Sequence, residues 1–229
     1  MPRRPRSFQA GVVYHLISRF VASEWFIKTE SDRKTYLHLL GRALADSDWR
    51  CFAFAVMSNH VHLAVIAGMS PLSSWICDVH GPFAEWINER HARIGSVFVR
   101  GPAAIAIQHE RAERLVGYIH RNPVRAGVVQ HASDSAWTSH RAYLAPGIAP
   151  SWLDVDSGLA LTRFAEGAAL DRWIESTEVT RADVDEVRVE PVDRGGRPRK
   201  PAEKTGDGPG YFRAPKNAKP AGAAAGFYE

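Results

Sequence analysis

The chain has 229 residues, of which 45% are hydrophobic and 24% charged, and a formal net charge of +4. That is enough for one well-buried core with residues to spare. No apolar run approaches membrane-spanning length, and Met1-Pro2-Arg3-Arg4-Pro5-Arg6 lacks the apolar stretch of a signal peptide. Two cysteines, Cys51 and Cys77, supply neither a disulfide scaffold nor a thiolate metal site, and a reducing cytoplasm is the expected compartment.

Charge is distributed unevenly. Residues 1–145 carry 17 basic and 11 acidic side chains, residues 146–190 carry 4 and 10, and residues 191–229 carry 8 and 4, giving nets of +6, −6 and +4. A basic module of residues 1–145, an acidic and helical appendage over 146–190 and a basic tail over 191–229 are therefore expected. An excess of base suits a polyanion, because phosphate contacts supply most sequence-independent affinity; a merely soluble surface reads the same way.

Along the chain, Gly11–Arg19 reads as a buried strand. Residues from Asp32 to Ala45 form a helix, with Tyr36, Leu39, Leu40, Ala43 and Leu44 on one stripe. Trp49–Met57 and His60–Ala67 pair as a hairpin across Ser58-Asn59. Ser70-Pro71 opens a long helix through Ala92 as N-cap and first helical residue, with a kink expected at Gly81-Pro82. A strand lies between Ser96 and Gln108, interrupted at Gly101-Pro102, and a helix runs from Glu110 to Asn122. The order β-α-β-β-α-β is the split pattern of a ferredoxin-like α+β sandwich, although the pattern alone leaves several topologies open. Trp152, Leu153, Leu159, Leu161, Phe164, Leu170, Trp173 and Ile174 suffice for one or two helices packed back on the module. From Pro191 onward, six prolines and seven glycines argue for disorder. Within that tail, Gly195-Gly196-Arg197-Pro198-Arg199-Lys200-Pro201 resembles an AT-hook core, and a solubilising tail is the plainer reading.

Two motifs carry chemistry. In Ser58-Asn59-His60-Val61-His62-Leu63, strand alternation puts His60 and His62 on one face, where two imidazoles can share a divalent metal. An ordinary half-exposed polar pair gives the same pattern. In Tyr118-Ile119-His120-Arg121-Asn122-Pro123-Val124-Arg125-Ala126-Gly127, Tyr118 and Asn122 lie one helical turn apart. Pro123 stops or kinks the helix near Asn122, which could equally be the N-cap of a short helix running from Pro123 to Gly127. Tyr118 could equally be a core aromatic. His120 and Arg121 point away from Tyr118 and receive no role.

These motifs, with Tyr14-His15-Leu16-Ile17-Ser18-Arg19, Asn88-Glu89-Arg90-His91 and Ser139-His140-Arg141-Ala142-Tyr143-Leu144, resemble the HUH single-strand transposases, in particular the REP-associated tyrosine transposases. The resemblance covers residues 8–145. It implies the HUH endonuclease fold, an antiparallel ferredoxin-like sheet. It implies a divalent metal, Mg2+ or Mn2+, bound by His60, His62 and Asn122. It implies Tyr118 as the nucleophile that attacks a phosphate of single-stranded or hairpin DNA and forms a covalent 5′-phosphotyrosine. A monomer and a homodimer both remain open. The chain departs from the family at Ser58, where proline is usual. It departs again at Gly101-Pro102-Ala103, where a basic–aromatic–basic run is usual. The second departure favours a rival reading, a DNA-binding protein that has lost cleavage. A hydrolase using the histidine pair and a bound water is the other rival, and it would want a third histidine or a carboxylate.

Overall fold

The computed structural model describes residues 8–189; the expectations for the tail and its AT-hook-like segment lie outside these residues. Four strands, β1 (Val13–Arg19), β2 (Arg50–Val56), β3 (His60–Ile66) and β4 (Ala103–Ile107), form one antiparallel sheet in the order β2-β3-β1-β4. Helices α1 (Glu30–Ala45) and α2 (Ser73–Arg90) connect the strands in the β-α-β-β-α-β sequence, which makes this the split ferredoxin-like sandwich.

Alternation fixes what each face of the sheet meets. Ser18 of β1 and Phe20 just after it turn to α2, where Ser18 Oγ lies 3.0 Å from His80 Nε2 and Phe20 stacks towards Phe83. His15 on the opposite face meets Tyr118 of α3 (Ala112–His120). The α1 terminus is set by a capping box: Thr29 Oγ1 accepts from the Asp32 N–H and Asp32 Oδ2 accepts from the Thr29 N–H at 2.8 Å. Asp32 also pairs with Arg90 Nε at 3.1 Å, tying the start of α1 to the end of α2.

The start of α2 and the place of Asn122 differ from expectation, while the regions around Gly81-Pro82 and Gly101-Pro102 take a defined form. Helix α2 begins at Ser73, not at Ser70-Pro71, because Asp48 captures Ser70 instead: its carboxylate accepts from the Met69 and Ser70 N–H groups and the Ser70 hydroxyl. Pro82 sits inside α2, which continues past the expected kink site as one hydrogen-bonded helix. Strand β4 starts only after Gly101-Pro102, and upstream of it Phe98 makes an isolated bridge to Phe20. The short helix α4 (Asn122–Arg125) is capped by Arg121, so Asn122 is its first residue and not its N-cap.

The C-terminal half of the described chain closes both sheet edges. Residues 137–139 run along β2, with the Val56 N–H donating to Trp137 O and the Ser139 N–H to Phe54 O. Residues 187–189 run along β4, with the Val189 N–H donating to Ala106 O and the Gln108 N–H to Val187 O. Among the described residues, both edge strands are thus partly covered by the chain's own segments. Between these segments lie α5 (His140–Leu144), α6 (Val155–Thr162), α7 (Gly167–Ser176) and α8 (Arg181–Glu186). Tyr143 anchors α5 by donating its hydroxyl to Phe52 O at 2.6 Å.

Candidate active site

The site is built on the strand face that looks towards α3. His60 and His62 share that face, with ring centroids 4.6 Å apart and planes at 89°. His60 Nδ1 lies 2.5 Å from Asn59 Oδ1, in the turn that the sequence places before β3. His62 is buried, and its Nδ1 lies 2.8 Å from His15 Nε2. In the register of β1 with β3, His15 opposes Ala64 and Ile17 opposes His62, so the two histidines are diagonal neighbours on one face.

Tyr118 closes the other side. Its ring stands edge-on to His62 at 5.6 Å and to His15 at 5.8 Å. One turn later the chain breaks its helix at Arg121 and resumes at Asn122, whose Nδ2 donates to the Tyr118 carbonyl at 2.9 Å. Asn122 Oδ1 accepts from Arg125 at 3.1 Å, and the same guanidinium lies 3.9 Å from the Tyr118 ring centroid. The structure thus brings His60, His62, Tyr118 and Asn122 together. It also adds His15 and Arg125, to which sequence reasoning gave no role although both stand in the quoted motifs. His120 points away as expected: Nε2 lies 2.8 Å from Ser139 Oγ and Nδ1 lies 3.0 Å from His140 Nδ1.

Electrostatics keep the imidazoles neutral. Burial, reinforced by the positive charges of Arg19 and Arg125, lowers His60 to about 4 despite an opposing hydrogen bond with Asn122. Burial and the Arg181 charge lower His15 to about 3, and burial lowers His62 well below its ordinary value. Neutral imidazole is the form that ligates metals. His62 Nε2 and His15 Nδ1 are buried without a hydrogen-bond partner. Among the described residues no group of three or more His, Cys, Asp or Glu side chains is placed to hold an ion. The donors at hand are therefore two imidazole nitrogens and the Asn122 amide oxygen. That neutral set could hold a divalent cation.

Residues 9–122 match the family model described as transposase, IS200-like. The chain belongs to the IS200-like transposase family. The matched segment runs from just before β1 to Asn122, so it contains all four of these residues. Among solved structures, this transposase is similar to a REP-associated tyrosine transposase bound to a REP hairpin. They are 17% identical, with a TM-score of 0.51, over 68% of this chain and 93% of that one. It is also similar to a candidate transposase from Deinococcus radiodurans R1, at 15% identity and a TM-score of 0.37, over 56% of this chain and 94% of that one. At such identities the first likeness shows a shared fold. No curated protein sequence matches the chain. Membership makes it a DNA-acting transposase, and among the described residues no helix is long and apolar enough to cross a membrane.

Proposed function

We propose that this transposase cuts and rejoins single-stranded, hairpin-forming DNA through a covalent 5′-phosphotyrosine on Tyr118. His60, His62 and Asn122 would hold a divalent cation, Mg2+ or Mn2+. The observation that carries this reading is the Tyr118–Asn122 turn: one segment lays the phenol ring against His62 and sends the amide of the next turn towards His60.

When bound, the cation would polarise the scissile phosphate and offset its developing charge. The chain's own residues do the rest. The Tyr118 oxygen forms a bond to phosphorus and the bond from phosphorus to the 3′ oxygen breaks. The electron pair leaves on that oxygen, which takes up a proton, while the phenol gives up its own. The Arg125 guanidinium over the ring places a fixed positive charge beside both the phenol and the incoming phosphate. The phosphodiester bond energy is kept in the phosphotyrosine, so a second 3′ end can reverse the step and rejoin the strand. Support for hairpin DNA as the substrate class comes from the similar REP-associated transposase, which is bound to a REP hairpin.

The second reading, a DNA-binding protein that no longer cleaves, has one observation in its favour. Tyr118 is only 5% exposed, so a phosphate reaches it only if Arg125 or its surroundings give way. Trapping separates the two. The full chain incubated with Mn2+ and a labelled hairpin oligonucleotide should yield a denaturation-resistant protein–DNA adduct, and Tyr118→Phe should yield none while still binding the hairpin. Cleavage without any adduct, or an adduct formed by the phenylalanine variant, rejects the mechanism.

A further inference from the structure

His15 is the one fully buried histidine on the site's face that the proposed chemistry leaves unused. It lies 47 residues from His62 in sequence, yet its Nε2 is 2.8 Å from His62 Nδ1 and the two rings stack at 4.9 Å with 30° between their planes. Both rings are buried. Two neutral imidazoles at this distance share one proton, so one ring donates and the other accepts.

The direction of that bond decides what His62 can do. If His15 donates, the proton of His62 sits on Nε2, and that nitrogen has no lone pair to offer. If His15 accepts, His62 carries its proton on Nδ1, and its buried, unpartnered Nε2 is bare. Without a cation the two tautomers each leave one buried N–H without an acceptor, on His62 Nε2 or on His15 Nδ1. Only the second arrangement puts a lone pair where a ligand is required. The neighbouring ring is set the same way: Asn59 Oδ1, an acceptor, lies against His60 Nδ1, so the proton of His60 belongs on Nδ1 and its Nε2 is bare. Ligating histidines are held by an acceptor on their other nitrogen, and losing that acceptor costs roughly 10–100-fold in metal affinity.

We propose that His15 is a positioning residue that accepts the Nδ1–H of His62, fixing its tautomer and ring orientation so that Nε2 faces the space beside His60. This rests on reading His62 as a ligand.

The test uses the full chain and two variants of matched shape. Gln places a polar atom where His15 has Nε2, so His15→Gln keeps an acceptor there, and His15→Met fills the same space without one. Long-range 1H–15N correlation spectra of the metal-free protein report the tautomer of each histidine. His62 should be protonated on Nδ1 in wild type and in His15→Gln, and should lose that preference in His15→Met. Free Mn2+ measured by electron paramagnetic resonance should show affinity falling roughly 10–100-fold in His15→Met and recovering in His15→Gln. A wild-type His62 protonated on Nε2 overturns the proposal, as does a folded His15→Met variant with unchanged His62 tautomer and Mn2+ affinity. His62→Ala with unchanged Mn2+ affinity would instead reject His62 as a ligand, and the tautomer measurement would still judge His15.

Discussion

Asn122 donates its side-chain amide to the backbone carbonyl of Tyr118 across 2.9 Å, spanning the break at Arg121 between α3 and α4. The contact couples the proposed nucleophile to the proposed third ligand, so displacing one displaces the other. Asn122→Ala removes this bond and the one from Arg125. It should cost about 1–2 kcal/mol of stability, measured by urea denaturation. It should also weaken Mn2+ binding and strand cleavage together. Full cleavage with normal Mn2+ affinity would remove Asn122 from the site.

Arg125 offers a flat cation to the Tyr118 ring at 3.9 Å while donating to Asn122 Oδ1 and, at 3.4 Å, to the carbonyl of Val179. A lysine keeps the charge but loses the plane and the fork. Arg125→Lys should therefore fold with a loss of about 1 kcal/mol and cleave more slowly than wild type in single-turnover assays. Equal rates would show that charge alone is needed there.

The helix that carries Tyr118 is braced from behind by α7 and the strand of chain that follows it. A β-carbon on Gly117 would stand 2.8 Å from Trp173 Cζ3 and 3.2 Å from Val179 Cγ2. On Gly167 it would run into the backbone carbonyl of Tyr143, which cannot turn aside as a side chain can. Gly117→Ala should cost about 1–3 kcal/mol and reduce cleavage by shifting Tyr118, and Gly167→Ala should destabilise more. Thermal denaturation of the two variants in parallel gives the order; the reverse order would mean that Trp173 is the less movable wall.

Much of this arrangement is legible in the chain because it depends on short spacings. The period of two in β3 puts His60 and His62 on one face, and the period near four puts Asn122 one turn after Tyr118. The alternation of the strands with α1 and α2 likewise yields the sandwich. What escapes depends on partners far away in sequence. His15 meets His62 only once β1 lies beside β3 in a particular register. The expected helix start at Ser70 fails because Asp48, 22 residues earlier, takes that serine's groups. The pairing of residues 187–189 with β4 has only the alternation Val187-Arg188-Val189 as a local signal, too short to mark a strand or to name its partner. Arg125 stacks on Tyr118 only because the helix breaks at Arg121, which the position of Pro123 foreshadows but does not aim.

The tail lies outside the described residues, and its eight basic side chains still permit a prediction. Each phosphate neutralised on a single strand adds roughly 0.7 to the slope of log affinity against log salt. Truncation after Glu190 should lower hairpin affinity at low salt and flatten that slope while leaving adduct formation intact. A titration of both proteins between low and moderate salt decides it. Unchanged binding at low salt would make residues 191–229 a solubilising extension only.

His80 supplies a pH prediction away from the proposed metal ligands. Its ring stacks on Phe98 with centroids 3.9 Å apart and planes at 12°, and its Nε2 lies 3.0 Å from Ser18 Oγ. Burial lowers it to about 4, below the value of about 6.5 expected in the unfolded chain. Between those two values the unfolded chain takes up a proton that the folded chain refuses. The His80 contribution to stability therefore falls as the pH drops through 6.5 and levels off below about 4, with a slope of up to about 1.4 kcal/mol per pH unit inside the window. His140, lowered by the same cause, acts in the same direction. Replacing His80 with Gln removes one titrating group while retaining a polar atom near Ser18. Urea denaturation from pH 7.5 to 4.5 should give a visibly shallower decline for His80→Gln than for wild type. Parallel curves would mean that His80 titrates alike in both states, and hence that its stack against Phe98 opens readily to water.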